Sequence, residues 1–300
     1  MEAWLGTAGQ IAGDPDLWWA AGLILAVVVA SFTCGVALAE RRPERAEQTL
    51  ALVLALLACY LLFDRGHFWA IALPRPWLLL AIHWPTFALA LGAGLAIGQG
   101  MWWRSVARSV AGGLLGLAVA TPVLPLIRPL ADPCPLADED RWRDDLCLQT
   151  CPVSCSPAAA ATFLRIHGIA ATEASMARQC LTHGRGTSTL GLYYGLNKTA
   201  AQRGRRVIAG HSNLSRLLQQ RQWPAVINVR FTDADVPADR STWTGAIFSG
   251  GHSARHTIVL LGPHPEGGWQ IADPAFGMDR WTNEQLSRRW TGESFWIAQR

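Results

Sequence analysis

Charge-free apolar runs crowd into the first 127 positions, whereas the remainder mixes polar and apolar residues as a globular domain does. Four runs read as membrane-crossing helices, about 30 Å of hydrocarbon needing roughly 20 apolar residues. The stretches 17–38 and 109–127 hold 22 and 19 residues without a charge. The stretch 77–101 is as long but contains His83 and Pro85, and 48–63 has only 16 residues, so it needs snorkelling flanks or a thinned bilayer. Tryptophans at 18, 19, 69, 77, 102 and 103 stand near the ends of these runs, where an amphipathic ring favours the headgroup level. The pattern predicts a transmembrane helical region over 1–128, a Pro-rich and acidic linker over 129–143, and a globular domain over 144–300.

The apolar runs carry no Asp, Glu, Lys or Arg in their middles, so the spans read as an anchor rather than a transport path, with His83 a packing residue. Acidic rather than basic residues precede the first run and further spans follow it, so a cleaved signal peptide is not expected. Arg41, Arg42, Arg45, Arg104 and Arg108 mark one side and only Arg65 and Arg75 the other. With four crossings this bias puts both ends outside, making an integral protein of a bacterial inner membrane with its globular domain extracytoplasmic.

In the second half the pattern predicts a helix and an antiparallel hairpin. The helix begins at Cys155, with Ser154 to Ser156 for capping, Pro157 in its first turn, alanines inside and Gly168 as its stop. Residues 256–262 and 269–273 read as two strands joined by a turn containing Pro263, Pro265, Gly267 and Gly268. A register centred between His264 and Pro265 sets His256 directly opposite Asp273.

Chemistry enters with the side chains at these positions. A thiol at a helix amino end is favoured as thiolate by the macrodipole and unpaired N–H groups. Cys155 is therefore the candidate nucleophile, His256 its base, and Asp273 the carboxylate that orients the imidazole. Gln149, six residues earlier, is the candidate oxyanion donor beside the backbone N–H of Cys155 if the turn around Pro152 brings its amide back. Cys151, His252 and Asp279 are the corresponding rivals, and His167, His183 and His211 lack comparable partners.

These parts, in their order, resemble the papain-like C39 peptidases, best known as leader-removing domains of bacteriocin exporters. The resemblance rests on Gln149, Cys155, the Pro157-Ala-Ala helix, the stretches 186–191, 223–228, 256–262 and 271–275, and Trp290-Thr-Gly292. It covers about half the chain and implies an α+β fold, with helices against an antiparallel sheet. It also implies hydrolysis of a peptide bond through a thioester, as in leader or precursor processing, with Cys155, His256, Asp273 and Gln149 in the roles above. Ser154 and Ser156 depart from the acidic residue and glycine usual around the family's cysteine. The order of parts departs too, since here the membrane region comes first and no ATPase follows. An inactive peptide-binding domain serving a separately encoded exporter is the alternative, and function residing in the spans a third.

Composition narrows the partners to a peptide or protein substrate and the membrane. A net charge of +4 with scattered basic residues does not support nucleic-acid binding. The single lysine, Lys198, follows Asn197, so no phosphate loop exists and no nucleotide is expected. No cofactor or metal is expected: Cys147, Cys151 and Cys155 repeat every fourth position, but no second ligand pair follows. If Cys155 is a free thiol, Cys134, Cys147, Cys151 and Cys180 can form two disulfides in three connectivities. Residues 232–255, rich in Ser, Gly and Asp, read as a lid or substrate-facing insertion.

Overall fold

The computed structural model describes residues 15–63, 84–98, 128–211, 214–219, 221–232, 235 and 253–298, with isolated positions between 109 and 116. The chain divides after Ile127 into two compact units.

The described part of the first unit is three helices, α1 (Pro15–Arg41), α2 (Pro43–Phe63) and α3 (Trp84–Gly98). Small residues let α1 and α3 approach closely: a Cβ added at Gly35 or Gly94 would collide with the backbone carbonyl of Leu91 or Phe32. Ile24 and Val28 of α1 pack with Leu89 and Ala90 of α3 in the same seam.

The expectation of four spans is corrected here. Among the described residues one helix, over Gly22–Arg41, is long and apolar enough to cross a membrane. Helix α2 has 21 residues, but Glu44, Arg45 and Glu47 occupy its first turns. Helix α3 has 15 residues, about 22 Å of rise, which falls short of the hydrocarbon thickness. His83, most of 109–127 and the loop arginines at 65, 75, 104 and 108 lie outside the described residues.

The second unit is α+β. A short hairpin, β1 (Arg141–Arg143) with β2 (Leu146–Leu148), leads into α4 (Cys155–Ile166), α5 (Glu173–Gln179) and α6 (Thr189–Ala201). There follow β3 (Val207–His211), α7 (Leu214–Gln219), β4 (Ala225–Thr232), β5 (Ser253–Pro263), β6 (Trp269–Asp273), β7 (Gly277–Trp281), α8 (Asn283–Arg289) and β8 (Trp290–Ile297). The six longer strands form one antiparallel sheet in the order β3-β8-β4-β5-β6-β7.

Alternation along β4 builds the core. Ala225, Ile227, Val229 and Phe231 are buried with Ile258, Leu260, Ile271 and Trp281, and with Leu217 and Leu286 of the covering helices α7 and α8. Helix α4 packs on β5, and Ala158 to Ala161 are fully buried. Four alanines in succession let a helix backbone lie close to its neighbours without a side chain intervening.

The ends of α4 differ in how far they follow the sequence reading. At its C-terminus Gly168 has φ +71, its N–H donates to the Arg165 carbonyl and that of Ile169 to Leu164, a Schellman stop. At its N-terminus the Ser154 hydroxyl does not cap the helix. It donates to the Cys151 carbonyl at 2.8 Å and accepts from the Cys151 N–H at 3.1 Å, serving the preceding turn instead.

Of the expected insertion, Ser253, Ala254 and Arg255 are strand residues paired with Thr232, Phe231 and Arg230. Asp235 accepts hydrogen bonds from the backbone and hydroxyl of Thr232 and is paired with Arg288 and Arg289. The guanidinium of Arg289 lies 4.6 Å from the ring of Trp281 and 5.2 Å from that of Phe231, so the first turn after β4 is tied to the core. His252 and the remainder of the insertion lie outside the described residues.

Candidate active site

Strand β5 carries His256 and β6 carries Asp273, and the turn between them decides how they meet. Its five residues, 264–268, are closed by hydrogen bonds from His264 N to Gly268 O and from Gly267 N to His264 O. Pro263 therefore pairs with Trp269, and a bulge between Leu260 and Gly262 then shifts the ladder so that Leu260 pairs with Ile271 and Val259 with Ala272. This corrects the expected register. Asp273 does not face His256 directly but lies diagonal to it, two residues along on the same face. Gly262 makes the bulge with φ +143, a conformation side chains rarely adopt.

The diagonal pair closes nonetheless. His256 Nε2 lies 2.7 Å from Asp273 Oδ1, and both side chains are almost fully buried, at 1% and 2% exposure. The same carboxylate oxygen accepts the Ala275 N–H at 2.8 Å, which fixes its orientation. The imidazole sits 5.5 Å from the Phe231 ring and 6.4 Å from Phe276, so apolar walls shield it from water.

With Nε2 committed to Asp273, the other ring nitrogen is left for the sulfur of Cys155, whose thiol the neighbouring His256 pulls down. Cys155 is the first residue of α4 and is half-buried. Its surroundings alone would push the thiol up, but the His256 hydrogen bond and charge, the Thr257 N–H and the Ser156 hydroxyl bring it below the ordinary thiol value. Burial likewise disfavours the imidazolium, and it is outweighed by Asp273 and Cys155, which push His256 up to about 10. Both shifts favour a thiolate beside an imidazolium that a carboxylate steadies.

Gln149 is buried, and its Nε2 donates to the Cys151 carbonyl at 2.9 Å, while its Oε1 has no hydrogen-bond partner. An amide nitrogen has two protons, so this bond leaves one for another acceptor. The backbone N–H of Gln149 donates to the Pro274 carbonyl at 2.8 Å, which ties the turn before Cys155 to the residue after Asp273.

Two further groups support the site and were not singled out from the sequence. Glu173, 1% exposed, accepts from the Thr150 N–H at 2.9 Å and the Thr150 hydroxyl at 2.7 Å, anchoring the 149–154 turn. Thr172 closes a capping box at the start of α5, and an acid just after it is the signal that could have marked the position. Behind Cys155, the Ser156 hydroxyl meets that of Thr257 at 2.8 Å, Thr257 donates to Asn228 Oδ1, and Asn228 Nδ2 donates to Glu293 at 2.6 Å. This chain runs from the nucleophile helix through β5 and β4 to β8, and nothing in local spacing reveals it.

The rivals fall elsewhere. Cys151 is buried in the turn with its sulfur 2.8 Å from that of Cys134. Asp279 lies on β7 opposite Ile271, and its carboxylate accepts from the indole of Trp281. The expectation of two disulfides is corrected: Cys134, Cys147, Cys151 and Cys180 are free thiols, with Cys147 on β2 and Cys180 at the end of α5. Burial pushes both of these thiols up.

The second unit has known structural counterparts. The fold resembles that of C39 peptidase domains of ABC transporters. The peptidase domain of Streptococcus ComA, a bifunctional ABC transporter of a quorum-sensing pathway, matches at 19% identity with a TM-score of 0.38, covering 51% of this chain and 96% of that one. A double-glycine-motif protease from an AMS/PCAT transporter, solved with its leader peptide, matches at 17% identity and 0.38, covering 53% and 91%. The C39-like domain of a Vibrio parahaemolyticus toxin-secretion ATP-binding protein matches at 16% identity and 0.31, covering 50% and 97%. No protein-family model and no curated protein matches the sequence. Likeness at these identities concerns the fold, and the chemistry rests on the distances above.

Proposed function

We propose that the chain is a membrane-tethered cysteine peptidase. The observation that carries this reading is the buried 2.7 Å contact between His256 and Asp273, with Cys155 at the first position of α4 and its thiol pulled down by His256. In the proposed reaction the Cys155 thiolate attacks the scissile carbonyl and the oxyanion is met by the Cys155 N–H and the free proton of Gln149 Nε2. The His256 imidazolium then gives its proton to the departing amine, leaving a thioester. Water, deprotonated by the neutral imidazole, hydrolyses the thioester and restores the thiolate–imidazolium pair. Asp273 holds the ring throughout.

The substrate class is a peptide or protein precursor. The double-glycine leader of a structural counterpart suggests a first candidate, a peptide with Gly-Gly before the scissile bond. The tether is α1, and the proposed side is extracytoplasmic.

The test uses the full-length protein in detergent with a fluorogenic Gly-Gly peptide and with a mixed peptide library. Cleavage by the native protein and none by a folded Cys155→Ala variant is expected. Peptide capture without any product, in the presence of an alkylatable Cys155, would replace the enzyme with a binding module.

A further inference from the structure

We propose that Cys134 and Cys151 are a redox modification site, closing to a disulfide that clamps the turn carrying Gln149. The two sulfurs already lie 2.8 Å apart, so bond formation needs them to close by only about 0.8 Å toward the 2.05 Å of a disulfide. Both segments are held in place independently of that contact. On one side Pro133 bridges His183, and the Gly184 N–H donates to the Asp132 carbonyl at 2.7 Å. On the other, Cys151 is framed by the Ser154 hydroxyl and by Gln149 Nε2. A third tie, from the Ala137 N–H to the Thr150 hydroxyl at 3.1 Å, runs parallel to the sulfur pair.

The chemistry of the pair suits thiol–disulfide exchange. Each sulfur perturbs the other: the contact pushes Cys134 up and brings Cys151 down to about 6, so a single proton is held between them with Cys151 as the thiolate. Cys134 is half-buried and reachable, whereas Cys151 is buried. The electron acceptor is an external disulfide, from a small molecule or a thiol oxidoreductase. Cys134, the reachable sulfur, hands the shared proton to the Cys151 thiolate as it attacks one sulfur of that disulfide and releases the first thiolate. Cys151 then attacks the Cys134 sulfur and releases the second. One protein thiol, one protein thiolate and one external disulfide become one protein disulfide, one thiol and one thiolate, the shared proton leaving on a departing sulfur and the other departing sulfur then taking its proton from water.

The consequence falls on the oxyanion side of the site. Cys151 supplies the carbonyl that holds Gln149 Nε2, and Ser154, bonded to both backbone groups of Cys151, immediately precedes the nucleophile. Closing the bond fixes that frame to the 132–137 segment, whereas Cys155, four residues on, remains a thiol. The crosslink does not require the protein to be a peptidase, so its outcome and that of the activity assay are separate.

The experiment exposes the full-length protein in detergent to oxidised glutathione, blocks free thiols with iodoacetamide, and digests it with trypsin without reduction. Residues 144–165 form one tryptic peptide with Cys147, Cys151 and Cys155, so fragment ions must assign the bonded sulfur. A stoichiometric link from Cys134 to Cys151, abolished by reduction, with Cys155 carrying no link to another protein cysteine, is expected. A link from Cys134 to Cys147, Cys155 or Cys180, persistent alkylation of Cys134, or glutathione retained there without a protein crosslink would each overturn the assignment.

Discussion

At the residue scale the site is a proton-sharing pair, and its ionisation is directly measurable. An ordinary thiol gains thiolate tenfold per pH unit until it approaches about 8.5. Cys155 lies below the ordinary value because of His256 beside it, so its alkylation by iodoacetamide should rise less steeply with pH between 7 and 9 than that of an ordinary thiol. His256→Ala should restore the tenfold slope and slow alkylation at pH 7 by about tenfold or more. Peptide hydrolysis has the opposite limit. It needs the imidazolium proton for the leaving amine, and that proton is lost as pH rises toward about 10, so turnover should fall there while alkylation persists. Asp273→Asn removes the charge that holds the imidazolium and should lower turnover about 100-fold with the fold retained on circular dichroism. The helix start at Cys155 and the strands carrying His256 and Asp273 were legible because helix starts, strand runs and turn residues are local signals. Ser156 and Thr257 escaped notice because their pairing joins residues 101 positions apart.

At the element scale, geometry depends on one bulge and one anchor. Both hairpin strands were legible from apolar runs and glycine punctuation, but their register was not. Whether a glycine in a strand bulges depends on its φ and on what lies over it, and here a Cβ on Gly262 would come 2.9 Å from Trp223 Cδ1. Gly262→Ala should therefore cost about 1–3 kcal/mol in chemical denaturation, through strain at φ +143. It should also disturb the diagonal on which His256 reaches Asp273, so the shallow pH dependence of Cys155 alkylation should steepen. Glu173 tests the other side of the site. Glu173→Ala strands the buried Thr150 N–H and should cost about 2 kcal/mol. Turnover should fall through loss of Gln149 placement, while alkylation of Cys155 stays near the native rate because His256 is untouched. A parallel fall in both would assign Glu173 to overall folding instead.

At the scale of the whole molecule the sequence shows two solvents, and hydropathy alone overcounts what crosses between them. A run is apolar whether its helix crosses a bilayer or packs against another helix, and length in the folded state decides. The described helix Trp84–Gly98 has 15 residues, and its Gly94 fits closely against α1, whereas Gly22–Arg41 offers 20 residues, about 30 Å, with Leu25 and Val29 exposed. As the proposed tether, α1 should keep the full chain with membranes through alkaline carbonate extraction. Replacing Val29 and Leu25, both exposed on α1, by Arg should release it, each charge costing about 2.5–3.5 kcal/mol at a span centre. The second unit has its own sheet, core and site, so the released protein should retain the alkylation profile of Cys155. Retention of the double variant in the pellet would show that α1 does not hold the chain there. The same membranes also report the side. An impermeant maleimide applied to cells with a permeabilised outer barrier should label Cys155 if the domain faces outward, and label it only after the inner membrane is opened if it faces the cytoplasm.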